Sequence, residues 1–142
     1  MAEQKIENLD FYCVDYAQRI VQNLTTGPEK VSGDDIAHLT TRLLSVLHEN
    51  GVYAYMLYVV WKRYNGTRIE RRVTAQLDDL LVGEPGSYSL LRLDAVGLNL
   101  EKARDTLEAG KALARDLEAL FLAKELLART LTYVRYQAKA AA

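Results

Sequence analysis

Cysteine occurs once and histidine twice in these 142 residues. The lone Cys13 cannot close an internal disulfide, which excludes a disulfide-stapled scaffold and fits a reducing compartment. With His38 and His48 alone there is no H-E-x-x-H, no paired cysteine and no Glu-x-x-His pair. Asp35 and His38 fall on one helix face, but a metal needs at least one more ligand, so they read as a cap-adjacent acid and a surface histidine. A Gly-rich phosphate loop and a nucleophile elbow are also missing. Charge of either sign is not in excess: the net charge is −1, so the chain as a whole is not a polyanion binder. Long hydrophobic runs are absent too. The longest, Val52 to Trp61, rises about 15 Å as a helix, roughly half a hydrocarbon core. It predicts a buried helix and no membrane contact.

What is present is the mix of a soluble globular protein, 49% apolar and 26% charged. The length predicts one domain over 1–142 with a single core. Met1 to Glu7 is polar and acidic, with no apolar signal core, so a cytoplasmic location is expected. The N-x-S/T triplets at Asn23 and Asn65 are read as chance.

Helix periodicity dominates, and the expected fold is all-α, a compact bundle of five to seven helices. Ile6, Leu9, Cys13, Tyr16, Ala17, Ile20 and Leu24 recur at 3- and 4-residue steps. Thr26-Gly27-Pro28 ends that helix. Ser32-Gly33-Asp34-Asp35 reads as a capping box opening the next, with Ile36, Leu39, Leu43, Val46 and Leu47 on its stripe. Asn50-Gly51 is a corner: Gly51 takes positive φ without steric cost, and Asn50 is expected to cap the following helix. Residues 52–61 are apolar nearly all round, which places that helix at the centre of the bundle. Asn65-Gly66 closes it. Ile69, Val73, Leu77, Leu80 and Leu81 make a fourth stripe, and residues 83–87 a loop. Residues 88–98 are predicted helical, and Asn99 is expected to cap a helix. The pattern then runs from Leu100 to Ala138, with Gly110 as the expected break between two helices.

Three patterns test for chemistry or base reading. Arg42 and His48 match the loose spacing of helical HEPN ribonucleases and resemble them to that extent. Six residues turn a helix by about 600°, leaving the two about 120° apart, whereas a general acid–base His must reach the phosphate that the Arg stabilises. Glu101, Asp105 and Glu108 share a face, but Lys102, Arg104 and Lys111 surround them, as on a solvated helix. A DNA-reading helix-turn-helix would need polar groups on its second helix, and after Gly51 the residues are core material. No catalytic residue, metal or cofactor is assigned.

The charge map is uneven. Residues 62–72 hold Lys62, Arg63, Arg68, Arg71 and Arg72 against one acid, Glu70, with Tyr64 among them. Past Glu125 no side-chain acid remains, while Arg129, Arg135 and Lys139 follow, interleaved with Tyr133 and Tyr136. Arg pairs with phosphates bidentately and Tyr stacks on bases. These eight cations are the candidate RNA-binding residues. Cations also suit helix C-termini and solvated faces.

The unit from Ile36 to Lys62 resembles the small subunit of type III-B CRISPR effector complexes, the Cmr complexes. In that family a Leu-faced helix runs into an Asn-Gly-Leu corner, here Asn50-Gly51-Val52, then into an apolar helix ending in a basic residue, here Lys62. The last family helix carries Trp, an aliphatic residue, Arg, an aromatic or basic residue and then Ala; here Tyr133-Val134-Arg135-Tyr136 and Ala138 fill comparable places, with Tyr133 where Trp is usual. The Tyr-rich first helix, with Tyr12, Tyr16 and Ala17, is also similar. The resemblance covers about half of the chain and leaves related type III small subunits, such as the Csm type, open. It implies a non-catalytic subunit without cofactor. Copies would stack head to tail beside other effector subunits and lie against the crRNA–target RNA duplex. A helical adaptor that binds only protein and a HEPN-like ribonuclease are the alternatives.

Overall fold

The computed structural model describes residues 2–141, with side chains from Leu9 onward; Ile6, at the head of the first stripe, therefore lies outside the described side chains. The described residues form six α-helices and no strand, so the chain is all-α. None of the helices is long and apolar enough to cross a membrane.

The first stripe folds as α1 (Ala2–Thr25) and buries Leu9, Cys13, Tyr16, Ala17, Ile20 and Leu24. Gly27, at φ 86°, turns the chain out of it, and Val31 N–H bonds back to Leu24 O at 2.6 Å. Ser32 then caps α2 (Gly33–Asn50), its hydroxyl accepting from Asp35 N–H at 3.2 Å. Only this half of the expected capping box forms. The residue at the third position is Asp, one methylene shorter than the Glu that normally reaches back.

The corner turns at Gly51, whose φ is 92°. Asn50 does not cap the next helix: it is the last residue of α2, and α3 (Val52–Asn65) begins directly after Gly51 without a side-chain cap. A Cβ at Gly51 would meet nothing within 4 Å, so the position is restricted by backbone conformation and not by space. Gly51→Val is expected to lower the unfolding free energy by about 1 kcal/mol or more. Urea denaturation measures it, and a valine variant as stable as the parent contradicts the assignment.

The placement of α3 needs correction. It packs on α2, α4 and α5 through Val52, Tyr55, Met56 and Val59. Its other side leaves Tyr53, Leu57, Trp61 and Tyr64 exposed. Three of those four are Tyr or Trp, which present an apolar body and a polar tip and so tolerate water. A count of apolar letters misses this. The central element is instead α6 (Leu117–Ala141), which lies along both α1 and α2. It buries Ala123, Leu126, Leu127, Thr130, Leu131, Val134 and Ala138.

After Gly66, α4 (Arg68–Leu77) runs into a π-helical turn, Asp78–Val82, closed by Gly83 N–H to Asp78 O at 2.7 Å. Residues 88–98 are not the expected helix. Only one 3-10 turn forms, Leu90–Arg92. Gly97 at φ 73° and Asn99 at φ 55° occupy the left-handed region, which a right-handed helix cannot contain. Asn99 accordingly caps nothing. The next helix, α5 (Thr106–Ala114), starts at Asp105, whose carboxylate accepts from Glu108 N–H at 2.9 Å. Gly110 lies inside α5 and does not break it. The break falls at Arg115 and Asp116, and Asp116 Oδ1 takes the N–H groups of Glu118 and Ala119 at 3.1 and 3.3 Å to start α6.

Candidate nucleic-acid interface

The basic segment 62–72 is not a loop. It is the last turn of α3, a two-residue corner and the first half of α4. The sequence Thr67-Arg68-Ile69-Glu70 supplies a complete capping box. Thr67 Oγ accepts from Glu70 N–H at 3.2 Å, and Glu70 Oε1 accepts from Thr67 N–H at 2.9 Å. The corner is tight because position 66 has no side chain: a Cβ on Gly66 would lie 2.6 Å from Lys62 O. This fixes how α3 presents its basic end to α4.

Two of the five cations are then neutralised within the chain. Lys62 Nζ lies 3.5 Å from Glu70 Oε2 and 4.4 Å from the centre of the Trp61 ring. Glu70 also draws Arg42, at 3.5 Å, from α2. Its carboxyl is held below the usual carboxylate range, first by the Thr67 backbone N–H and then by the charge of Lys62, with burial opposing. Arg63 clasps Asp78 at 2.9 Å and Asp79 at 2.7 Å. Asp78 is buried and accepts a further bond from the Thr106 hydroxyl, so this clasp ties α3 to the π turn and to α5.

The other three cations have no carboxylate partner among the described residues. Arg72 Nε donates to Glu29 O at 3.3 Å, while Arg68 and Arg71 are exposed on α4. Together with Arg63, Tyr64, Glu29 and Ala75 they line an open cleft of about 440 Å³. Glu29 is its one acid. Arg68 occupies the first helical position of α4 and Arg71 lies one turn in. Cations there oppose the helix dipole, whose N-terminal end is positive.

The C-terminal cations lie elsewhere. Arg129 is bound at 3.3 Å to Asp10 and at 2.6 Å to Glu125. Asp10 also accepts from Tyr133 at 2.7 Å. Arg135 lies over Tyr136, 5.8 Å from the ring centre, with its Nε buried and unpartnered, and Lys139 is exposed in the last turn of α6. Asp10 sits about 22 Å along α1 from the Thr25 end that leads to Glu29, at 1.5 Å per residue. The eight expected RNA-binding residues thus divide into two sets that the fold does not bring together.

Arg42 and His48, the pair matched to the ribonuclease spacing, make no hydrogen bond to each other among the described residues. Both lie on the regular helix α2, with Arg42 turned toward Glu70 and His48 exposed in the last turn. Among the described residues no three or more His, Cys, Asp or Glu converge as a metal site.

The acids that occupy these cations are less legible than the cations themselves. Glu70 is visible in the sequence as the fourth residue of T-x-x-E, a capping-box signature. The return of Asp78 and Asp79 onto Arg63 carries no local signal, because it depends on how α4 leaves the corner. Compared with protein-family models, curated proteins and solved structures, the chain has no match.

Proposed function

We propose that this protein is a non-catalytic, RNA-contacting small subunit of a type III CRISPR effector complex, and that its cleft at the α3–α4 corner is the RNA contact. The complex assignment rests on the sequence resemblance from Ile36 to Lys62 and from Tyr133 to Ala138. The RNA contact rests on one observation, the placement of Arg68 and Arg71. They sit at the end of α4 where cations cost stability, and they make no ion pair among the described residues. Guanidinium groups free of carboxylate partners suit a polyanion backbone. Phosphate contacts of this kind position a nucleic acid without reading its sequence, as a subunit lying against a guide–target duplex requires. Other effector subunits, and further copies of this chain, are the partners the resemblance implies.

The double variant Arg68→Ala/Arg71→Ala is the test. RNA affinity is expected to fall about equally across sequences. The slope of log affinity against log salt is expected to flatten by about 1.5, at roughly 0.7–0.9 per lost phosphate contact. Unchanged affinity and slope would remove the RNA assignment. Asp78 is buried and taken by Arg63 and Thr106, whereas Asp79 is exposed beside Arg63 and is the acid a neighbouring copy's arginines would reach.

The protein-only adaptor keeps one observation in its favour, the exposed Tyr53–Leu57–Trp61–Tyr64 face of α3. Sedimentation of the same double variant separates the two readings. Loss of assembly at unchanged per-copy RNA affinity would favour the adaptor.

A further inference from the structure

The exposed face of α3 runs into the basic cleft. Tyr53, Leu57, Trp61 and Tyr64 succeed one another at four, four and three residues, which aligns them along one stripe. Tyr64 is the member that lines the cleft with Arg68, Arg71 and Arg72. Tyr64 is 69% exposed and its side chain makes no hydrogen bond among the described residues. The Arg63 guanidinium lies 5.7 Å from the ring centre, but Arg63 is anchored to Asp78 and Asp79. The Lys62 ammonium likewise lies 4.4 Å from the centre of the Trp61 ring; Tyr64 is the more exposed of the two neighbouring aromatics.

From this geometry we infer that Tyr64 is a stacking platform for an unpaired base, whose flanking phosphates are held by Arg68 and Arg71. The occupant is single-stranded RNA, or an unstacked nucleotide within a longer RNA. Complementarity carries the inference. A base offers an apolar π face, matching a ring that would otherwise be left in water. Its backbone offers anions, matching guanidinium groups without carboxylate partners. Aromatic stacking beside a cationic track is the general means of holding single strands. A duplex keeps its bases stacked inside and could present only backbone to this ring. The inference rests on the proposed RNA contact and narrows it to a base as well as a phosphate.

The test compares two labelled 12-mers at low salt, an oligoadenylate and the same backbone without bases. The oligoadenylate is expected to bind on the order of tenfold more tightly. Tyr64→Ala should abolish that difference, and Tyr64→Phe, which keeps the ring, should restore it. Trp61 is the chain's only tryptophan and sits one turn away, so its emission should change with the oligoadenylate and not with the abasic chain. Equal affinity of the parent for both chains would overturn the inference and leave a backbone-only contact standing. Absence of binding to either chain, or binding indifferent to Arg68→Ala/Arg71→Ala, would overturn the RNA contact and the inference with it. If Tyr64→Ala lowers self-association but not per-copy RNA affinity, the stripe is a protein contact and the inference fails.

Discussion

Replacing Arg92 with alanine is expected to lower the unfolding free energy by about 3 kcal/mol. The guanidinium donates to four backbone carbonyls: Val82 at 2.7 Å, Gly83 at 3.1 Å, Leu100 at 2.7 Å and Ala103 at 2.9 Å. These are the end of the π turn on one side and the approach to α5 on the other. Arg92 is thus the crosspiece of the irregular stretch 83–103, where little regular backbone pairing is available. Burial pushes its guanidinium down from its ordinary value, with Glu84 opposing. A hydrogen bond from a charged donor is worth about 1.5–3 kcal/mol. Four such bonds would sum to far more than the expected loss. The segment is only half-buried, however, so water can reach some of the carbonyls once the side chain is gone. Arg92→Lys should recover only part of the loss, because an ammonium lacks the planar fork that spans separated acceptors. Urea denaturation gives the magnitude, and hydrogen exchange should show loss of protection in 83–103. An alanine variant within about 1 kcal/mol of the parent would show that the loop holds itself.

Gly110→Val is expected to cost a similar amount, about 3 kcal/mol, by a different mechanism. A Cβ at this position of α5 would lie 2.8 Å from Tyr53 Cδ1 and 2.9 Å from Met56 Sδ. Both neighbours belong to α3, so the glycine is the notch that sets the α3–α5 distance. Two effects compete. An alanine in place of glycine improves helix propensity by about 1 kcal/mol, while overpacking costs about 1–3 kcal/mol. Tyr53 is partly exposed and can swing outward, but Met56 is fully buried. For alanine the balance should be a loss of about 1 kcal/mol. Valine adds two further methyls and a weaker helix preference, so the overpacking term dominates. Thermal unfolding of the pair tests the ordering. A valine variant more stable than the alanine one would show that α3 and α5 can part freely.

These two residues also mark the limit of what the sequence makes legible. The stripes of α1, α2 and α6 are readable because burying one face of a long helix requires a sustained 3.6-residue periodicity. Gly51 is readable because an Asn-Gly pair between two apolar runs has few other uses. Gly110 misleads because the same letter serves as a breaker at a helix end and as a notch inside one, and only the facing helix distinguishes them. Residues 88–98 mislead because leucines suit a buried loop as well as a helix. The deciding partners of Arg92 are carbonyls, which leave no trace in side-chain identity. The cations of the candidate interface are visible as letters. Which of them remain available is not, since Asp78 and Asp79 reach Arg63 only through the tertiary path of α4.

The pairing of α1 with α6 sets an order on assembly. Arg129 and Tyr133 reach Asp10, and Cys13 Sγ lies 3.8 Å from Leu126 O, so these contacts join residues more than 110 positions apart. During synthesis the sides of α1 and α2 that face α6 gain their partner only once the ribosome has released residues 123–138. Domain closure is therefore a late, long-range event, costly in chain entropy and slow for an all-helical protein.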